Sequence, residues 1–221
     1  MKSTTIKLAG VTDFFMQEAY KTLRTNLQFC GKDIQVIAIT SCHENEGKTT
    51  ISLNLGRSLA ELGKRVLVID ADMRKSVIAA RHSNAKNPAG LSEVLTGLSV
   101  LSDCIYSTQV EKLHLIFAGQ YPPNPVELLN GKYFAELINE TRKVFDYVII
   151  DTPPLGLVID AAVVAPLCDG VMMVLADKAI RSKQAKEVVE QLRKSGSKIL
   201  GVVRNNVGGK VNDRKKRLQL R

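Results

Sequence analysis

Tryptophan is absent from this 221-residue sequence, and aromatic residues make up only 5% of it, so platforms for stacking bases are scarce. The four cysteines, Cys30, Cys42, Cys104 and Cys168, lie far apart without the paired spacing of a zinc site. They read as reduced thiols rather than a disulfide framework. No uninterrupted apolar run approaches the roughly 18–20 residues of a membrane span. The N-terminal MKSTTIKLAG has no apolar core of signal-peptide length, which makes a cytoplasmic location the expectation. Internal repeats, low-complexity tracts and domain-sized linkers are also missing. What remains is ordinary: 45% hydrophobic and 24% charged residues, enough for one globular domain with a sizeable core.

The net charge of +9 is unevenly spread. Residues 1–177 carry 17 basic and 19 acidic side chains, while residues 178–221 carry 14 and 3, a local excess of +11. Such a segment attracts phosphates or anionic headgroups, or is simply a solvated end. With few aromatics in it, nucleic acid is not an expected partner.

The chain is organised around 36–50, VIAITSCHENEGKTT. A β-branched apolar run reads as a buried strand, empties into a polar loop and ends in Gly47-Lys48-Thr49-Thr50 at the start of an amphipathic helix. Backbone N–H groups at a helix start lack intrahelical partners, and the helix dipole favours an anion there. Gly47 permits close approach, Lys48 brings charge to the β/γ-phosphates and Thr49 offers a hydroxyl to Mg²⁺. Glu46 and Thr50 complete the expected nucleotide contacts. The usual pattern has glycine where this chain has Cys42.

Two further apolar runs end in acids: 65–70 (RVLVID) leads into Asp70-Ala71-Asp72, and 146–151 (DYVIID) ends in Asp151. In open parallel sheets the working residues sit just beyond the carboxyl ends of strands, where carboxylates hold a hard cation or accept a proton. Helix capping explains one acid of the Asp70/Asp72 pair but hardly both. Strands are also expected at 113–118, 170–175 and 199–204, and helices at 13–29, 51–62 (with Gly63 as its stop), 90–98, 132–143 and 182–195. Residues 74–88 read as a surface excursion, and Pro125 as the first turn of a helix capped by Asn124. Alternating strands and helices predict an α/β fold: a single P-loop NTPase domain with a mostly parallel sheet and helices on both faces. Its expected extent is 1–207, with 208–221 a basic, flexible tail.

These residues together resemble the bacterial tyrosine kinases, cytoplasmic partners of polysaccharide-export and chain-length proteins. ITSCHENEGKTT resembles the family's Walker A, VLVIDADMRKSV its second acidic motif, FDYVIIDTPP its Walker B, and GQYPPNPVELL a stretch typical of the capsule subset. The resemblance implies an ATP- and Mg²⁺-dependent protein-tyrosine autokinase regulating capsular or extracellular polysaccharide synthesis. Lys48, Asp70, Asp72 and Asp151 would be catalytic, Thr49, Asp70 and Asp151 would organise the metal, and Asp72 or Asp70 would take the phenol proton. Asn205 matches the family's adenine contact. Glu18, Lys21 and Arg24, every third residue of the first helix, resemble a subunit-contact motif of ring-forming members, with Lys21 in place of arginine. The implied partners are a protein tyrosine, other copies of the chain, and a membrane adaptor that recruits the enzyme to the inner face of the membrane. The competing class is the MinD/ParA-like ATPases, switches that dock on a membrane partner without phosphorylating tyrosine. They carry a lysine where this chain has His43. Family members usually end in a tyrosine cluster, whereas the last tyrosine here is Tyr147.

Overall fold

The structure, a computed structural model, describes residues 2–8, 13–83, 88–177 and 183–206. The tail expected at 208–221 lies outside the described residues. Eight strands form one sheet in the order β1-β4-β5-β3-β6-β2-β7-β8. In chain order they are β1 (Lys2–Ile6), β2 (Val36–Ser41), β3 (Val66–Asp70), β4 (Tyr106–Thr108), β5 (Leu113–Ile116), β6 (Tyr147–Asp151), β7 (Gly170–Ala176) and β8 (Ile199–Asn205). Among the described residues only the β4–β5 pair is antiparallel. Six strands correspond to the apolar runs of the sequence. The other two, β1 and β4, are a correction: they extend the sheet beyond β5 at an edge where no apolar run announces them.

The central strands are apolar throughout because both of their faces are covered. Side chains alternate across a strand, so Val36 and Ala38 of β2 enter one core while Ile37 and Ile39 enter the other. β3 divides the same way, with Leu67 and Ile69 on one side and Val66 and Val68 on the other. One face is covered by α1 (Phe14–Phe29) and α2 (Lys48–Ala60). The opposite face carries α4 (Leu91–Leu95), α6 (Pro125–Leu129), α7 (Lys132–Val144), α8 (Asp160–Val164) and α9 (Lys183–Lys194).

α1 starts where Asp13 accepts a hydrogen bond from the Met16 amide, an N-cap interaction. Its buried stripe is Ala19, Tyr20, Leu23 and Leu27. α2 begins three residues before its apolar stretch, at Lys48 itself, and ends near Gly63, whose φ of +81° suits glycine. The expected excursion at 74–88 contains a short helix, α3 (Ile78–His82), held because Ile78 is buried in the α1/α2 core. α6 starts at Pro125 as expected, but the Asn124 side chain makes no capping bond. Among the described residues no helix is long and apolar enough to cross a membrane.

Candidate functional site

The site forms at the carboxyl ends of β2, β3 and β6, because adjacent parallel strands end at the same level. Asp70 and Asp151 are register partners on neighbouring strands, and Ile39 of β2 pairs with Asp151 on its other side. Both carboxylates are buried, at 1% exposure each. Burial pushes Asp151 up to about 6, a rise only partly offset by Lys48, Thr49 and Ser52. Burial, then the charge of Asp151, pushes Asp70 well above the usual carboxylate range. Asp70 accepts a hydrogen bond from the Ser76 hydroxyl and another from the Asp72 amide at 3.2 Å. Asp72 accepts from the Lys75 amide at 3.0 Å through one oxygen and sets the other 3.5 Å from Lys48 Nζ.

The phosphate loop is braced from inside. Glu46 is buried, and its carboxylate accepts from the amides of Cys42 and His43, both at 2.8 Å, and of Ala176 at 3.1 Å. Its side chain therefore shapes the loop, leaving its backbone to meet a ligand. Cys42 is fully buried, and burial with the nearby Glu46 charge pushes its thiol up to about 12, so it acts as inert packing. Gly47 has a φ of +91°, and a Cβ there would lie 2.1 Å from Asn205 Nδ2. Asn205, at the end of β8, uses that nitrogen to donate to the Glu46 carbonyl at 2.8 Å. The segment after β6 closes the other side: Thr152 Oγ1 donates to the Ile39 carbonyl, Thr40 Oγ1 to that of Pro153, and the Leu155 amide to that of Ser41.

A cavity of about 340 Å³ opens here, lined among others by Lys48, Thr49, Thr50, Asp70, Asp72 and Asp151. The four catalytic candidates are thus brought together with Gly47, Thr49 and Thr50, whereas Glu46 and Asn205 do not line the cavity. Thr49, Asp70 and Asp151 form an all-oxygen donor set in which two crowded carboxylates call for positive charge, and this suits a hard divalent cation. Sequence reasoning missed Ser52, which donates to Asp151 at 3.0 Å, and Ser76. Ser52 was findable, since it lies four residues after Lys48 and so shares its helix face. Lys75 pairs with Glu44 at 2.8 Å.

The α1 stripe lies elsewhere. Glu18 and Lys21 are exposed and pair with each other at 2.7 Å. Arg24 folds down onto α2, donating to the Ser58 carbonyl at 2.6 Å. Of the five tyrosines, Tyr20 and Tyr106 are buried, and burial pushes the Tyr20 phenol up to about 12. Tyr121 and Tyr133 are exposed.

Comparison with known proteins follows the same lines. Residues 34–200 match the AAA domain family. The tyrosine-protein kinase CpsD of Streptococcus agalactiae is 43% identical over 195 residues, covering 88% of this chain and 85% of that one. Among solved structures, the chimerical protein CapA2B2 superposes with a TM-score of 0.83 at 31% identity, covering 92% of this chain and 94% of that one. The septum site-determining protein MinD of Pyrococcus horikoshii OT3, complexed with Mg-ADP, reaches 0.67 at 27% identity, covering 79% and 71%.

Proposed function

This chain belongs to the bacterial tyrosine-protein kinases within the AAA domain family, and on that premise we propose that it moves the terminal phosphoryl group of ATP onto protein tyrosine at the carboxyl edge of β2, β3 and β6. The observation that carries this reading is the meeting of Lys48, the Asp70–Asp72 pair and Asp151 around one cavity.

The loop 44–47 and the first turn of α2 bind the triphosphate through backbone N–H groups, with Lys48 on the β/γ-phosphates. Asp70 and Asp151, with the Thr49 hydroxyl, hold Mg²⁺, whose charge when bound offsets that of the phosphate oxygens. Asp70 already has both oxygens engaged, by Ser76 and by the Asp72 amide. Asp72 keeps an oxygen beside Lys48 and is assigned the phenol proton. A free tyrosine has a pKa of about 10, so a base within reach and nearby positive charge both assist its attack. Asn205 orders the loop and borders the adenine.

The role is regulation of capsular or extracellular polysaccharide synthesis and export, at the inner face of the membrane, through an adaptor that activates the kinase. Copies assemble through the exposed Glu18–Lys21 part of α1. The test is incubation with labelled ATP, Mg²⁺ and the cytoplasmic segment of the neighbouring membrane protein. Label should appear on tyrosine and vanish in Lys48→Met. ATP hydrolysis without phosphotyrosine in either protein would overturn the kinase reading in favour of a switch.

A further inference from the structure

Arg74 lines the same cavity, yet nothing above gives it a task. Its Nε donates to Asp160 Oδ1 at 2.9 Å. Asp160 opens α8, 86 residues further along, and is fully buried. Its second oxygen, Oδ2, is out of solvent and has no hydrogen-bond partner among the described residues. Buried carboxylates are normally satisfied at both oxygens, most economically by the two-pronged fork of an arginine. Here the fork is turned away. Binding through Nε leaves both Nη groups of a 38%-exposed side chain for something else.

The place to which those groups belong follows from the neighbouring residues. Asp72 sits beside Lys48 Nζ, and Lys48 serves the outer phosphates. Arg74, two residues beyond Asp72, therefore flanks the terminal end of the phosphate chain rather than the base or sugar. We propose that Asp160 is a positioning residue that holds Arg74 by its Nε so that the Nη groups grip the terminal phosphate of a bound triphosphate. Arg74 is then the residue that distinguishes ATP from ADP, and Asp160 acts only through it. The inference rests on the nucleotide site described above and does not require that the acceptor be tyrosine. Lysine cannot replace Arg74 in this arrangement, because its three donors all sit on one nitrogen and cannot hold Asp160 while separate N–H groups reach the phosphate.

The test is equilibrium binding of ATPγS and of ADP, with Mg²⁺, to the full chain. The wild type should prefer ATPγS. Arg74→Ala and Asp160→Ala should each lose about tenfold of that preference with ADP affinity unchanged, and the double variant should lose no more than either single one. Additive losses, or an unchanged preference in Asp160→Ala, overturn the proposal. Asp160→Asn, which preserves shape and the acceptor for Nε, guards against misfolding. Added guanidinium ion should restore the preference in Arg74→Ala but not in Arg74→Ala/Asp160→Ala, where no acceptor is left to hold it; rescue in both also overturns the proposal. Binding without tyrosine labelling defeats the kinase reading alone, whereas a wild type that binds neither nucleotide defeats both.

Discussion

The two ends of this sheet treat a carboxylate in opposite ways. At the amino-terminal edge, just before β7, Asp169 is gripped by both arms of Arg142, each at 2.8 Å, and accepts from the amides of Gln35 and Val36. Burial would raise its pKa, but the guanidinium and the two amides more than offset that and hold it below the usual range. At the carboxyl edge Asp70 and Asp151 are buried side by side with a lysine and a few hydroxyls, and both are pushed up. One edge is satisfied and fastens β2, β7 and α7 together. The other is left short of positive charge, a shortage that suits the cation and nucleotide proposed for it. Electrostatic satisfaction marks the structural end of the sheet; its lack marks the working end.

Substitutions can break this contrast, and the largest effect belongs to Lys48. Lys48→Met should lower phosphotransfer by about a thousandfold, measured as labelled phosphotyrosine, since in such a transfer catalysis is mostly positioning and charge stabilisation. At the opposite edge, Asp169→Ala should destabilise the fold by about 2 kcal/mol, a value discounted for the partial exposure of the pair. Chemical denaturation would register this, with nucleotide affinity unchanged in the fraction that remains folded.

Asp151→Asn should do the reverse, stabilising the nucleotide- and metal-free protein at pH 7.5 by about 1–2 kcal/mol. The sign follows from the raised folded-state pKa. Between the usual carboxylate value and about 6 the folded form holds the proton more tightly, so wild-type stability falls as pH rises through that window. Melting in EDTA at pH 4 and 7.5 should show a gain confined to the higher pH, and added Mg²⁺ should narrow it. For Asp169 the slope is opposite: its contribution is present above the ordinary carboxylate pKa and is lost as pH falls through the depressed folded value. The smallest effect should come from Arg65, whose guanidinium lies 3.9 Å from Asp146 with both side chains well exposed. Arg65→Ala should cost under about 0.5 kcal/mol by the same denaturation assay. A larger loss would mean that the amino-terminal edge is fastened by more than Asp169.

The working edge was legible in the sequence because its signals are local. An apolar run followed by a short polar loop and Gly-Lys-Thr, or directly by an acid, states both the strand and what its end delivers. The satisfied edge was not legible. Arg142 and Asp169 meet through folding alone, and nothing in the residues around either points to the other. The same holds for Arg74 and Asp160, and for Asn205 against Gly47. β4 is three residues long, too short to show a period, and β1 reads KSTTI, without an apolar run. Tyr20 was hidden for another reason: its phenol is buried with Asn54 Nδ2 3.4 Å from its oxygen, a polar tip that spacing rules count as outward. Glu46 was expected among the nucleotide contacts on position alone; two of its hydrogen bonds stay within the loop, and the third, from Ala176, forms only once β7 is beside it.

The bond from Asn205 to the Glu46 carbonyl spans 159 residues and joins the sixth strand of the parallel run to the first loop. On the ribosome the phosphate-loop sequence emerges early, but the side chain that latches it is made among the last strands. β2 itself waits for β6 and β7 to flank it. The pocket beside the loop is therefore assembled only once β8 has been made: a nascent chain displays the motif long before it owns the site, and a ligand of that pocket stabilises only a fold with β8 in place.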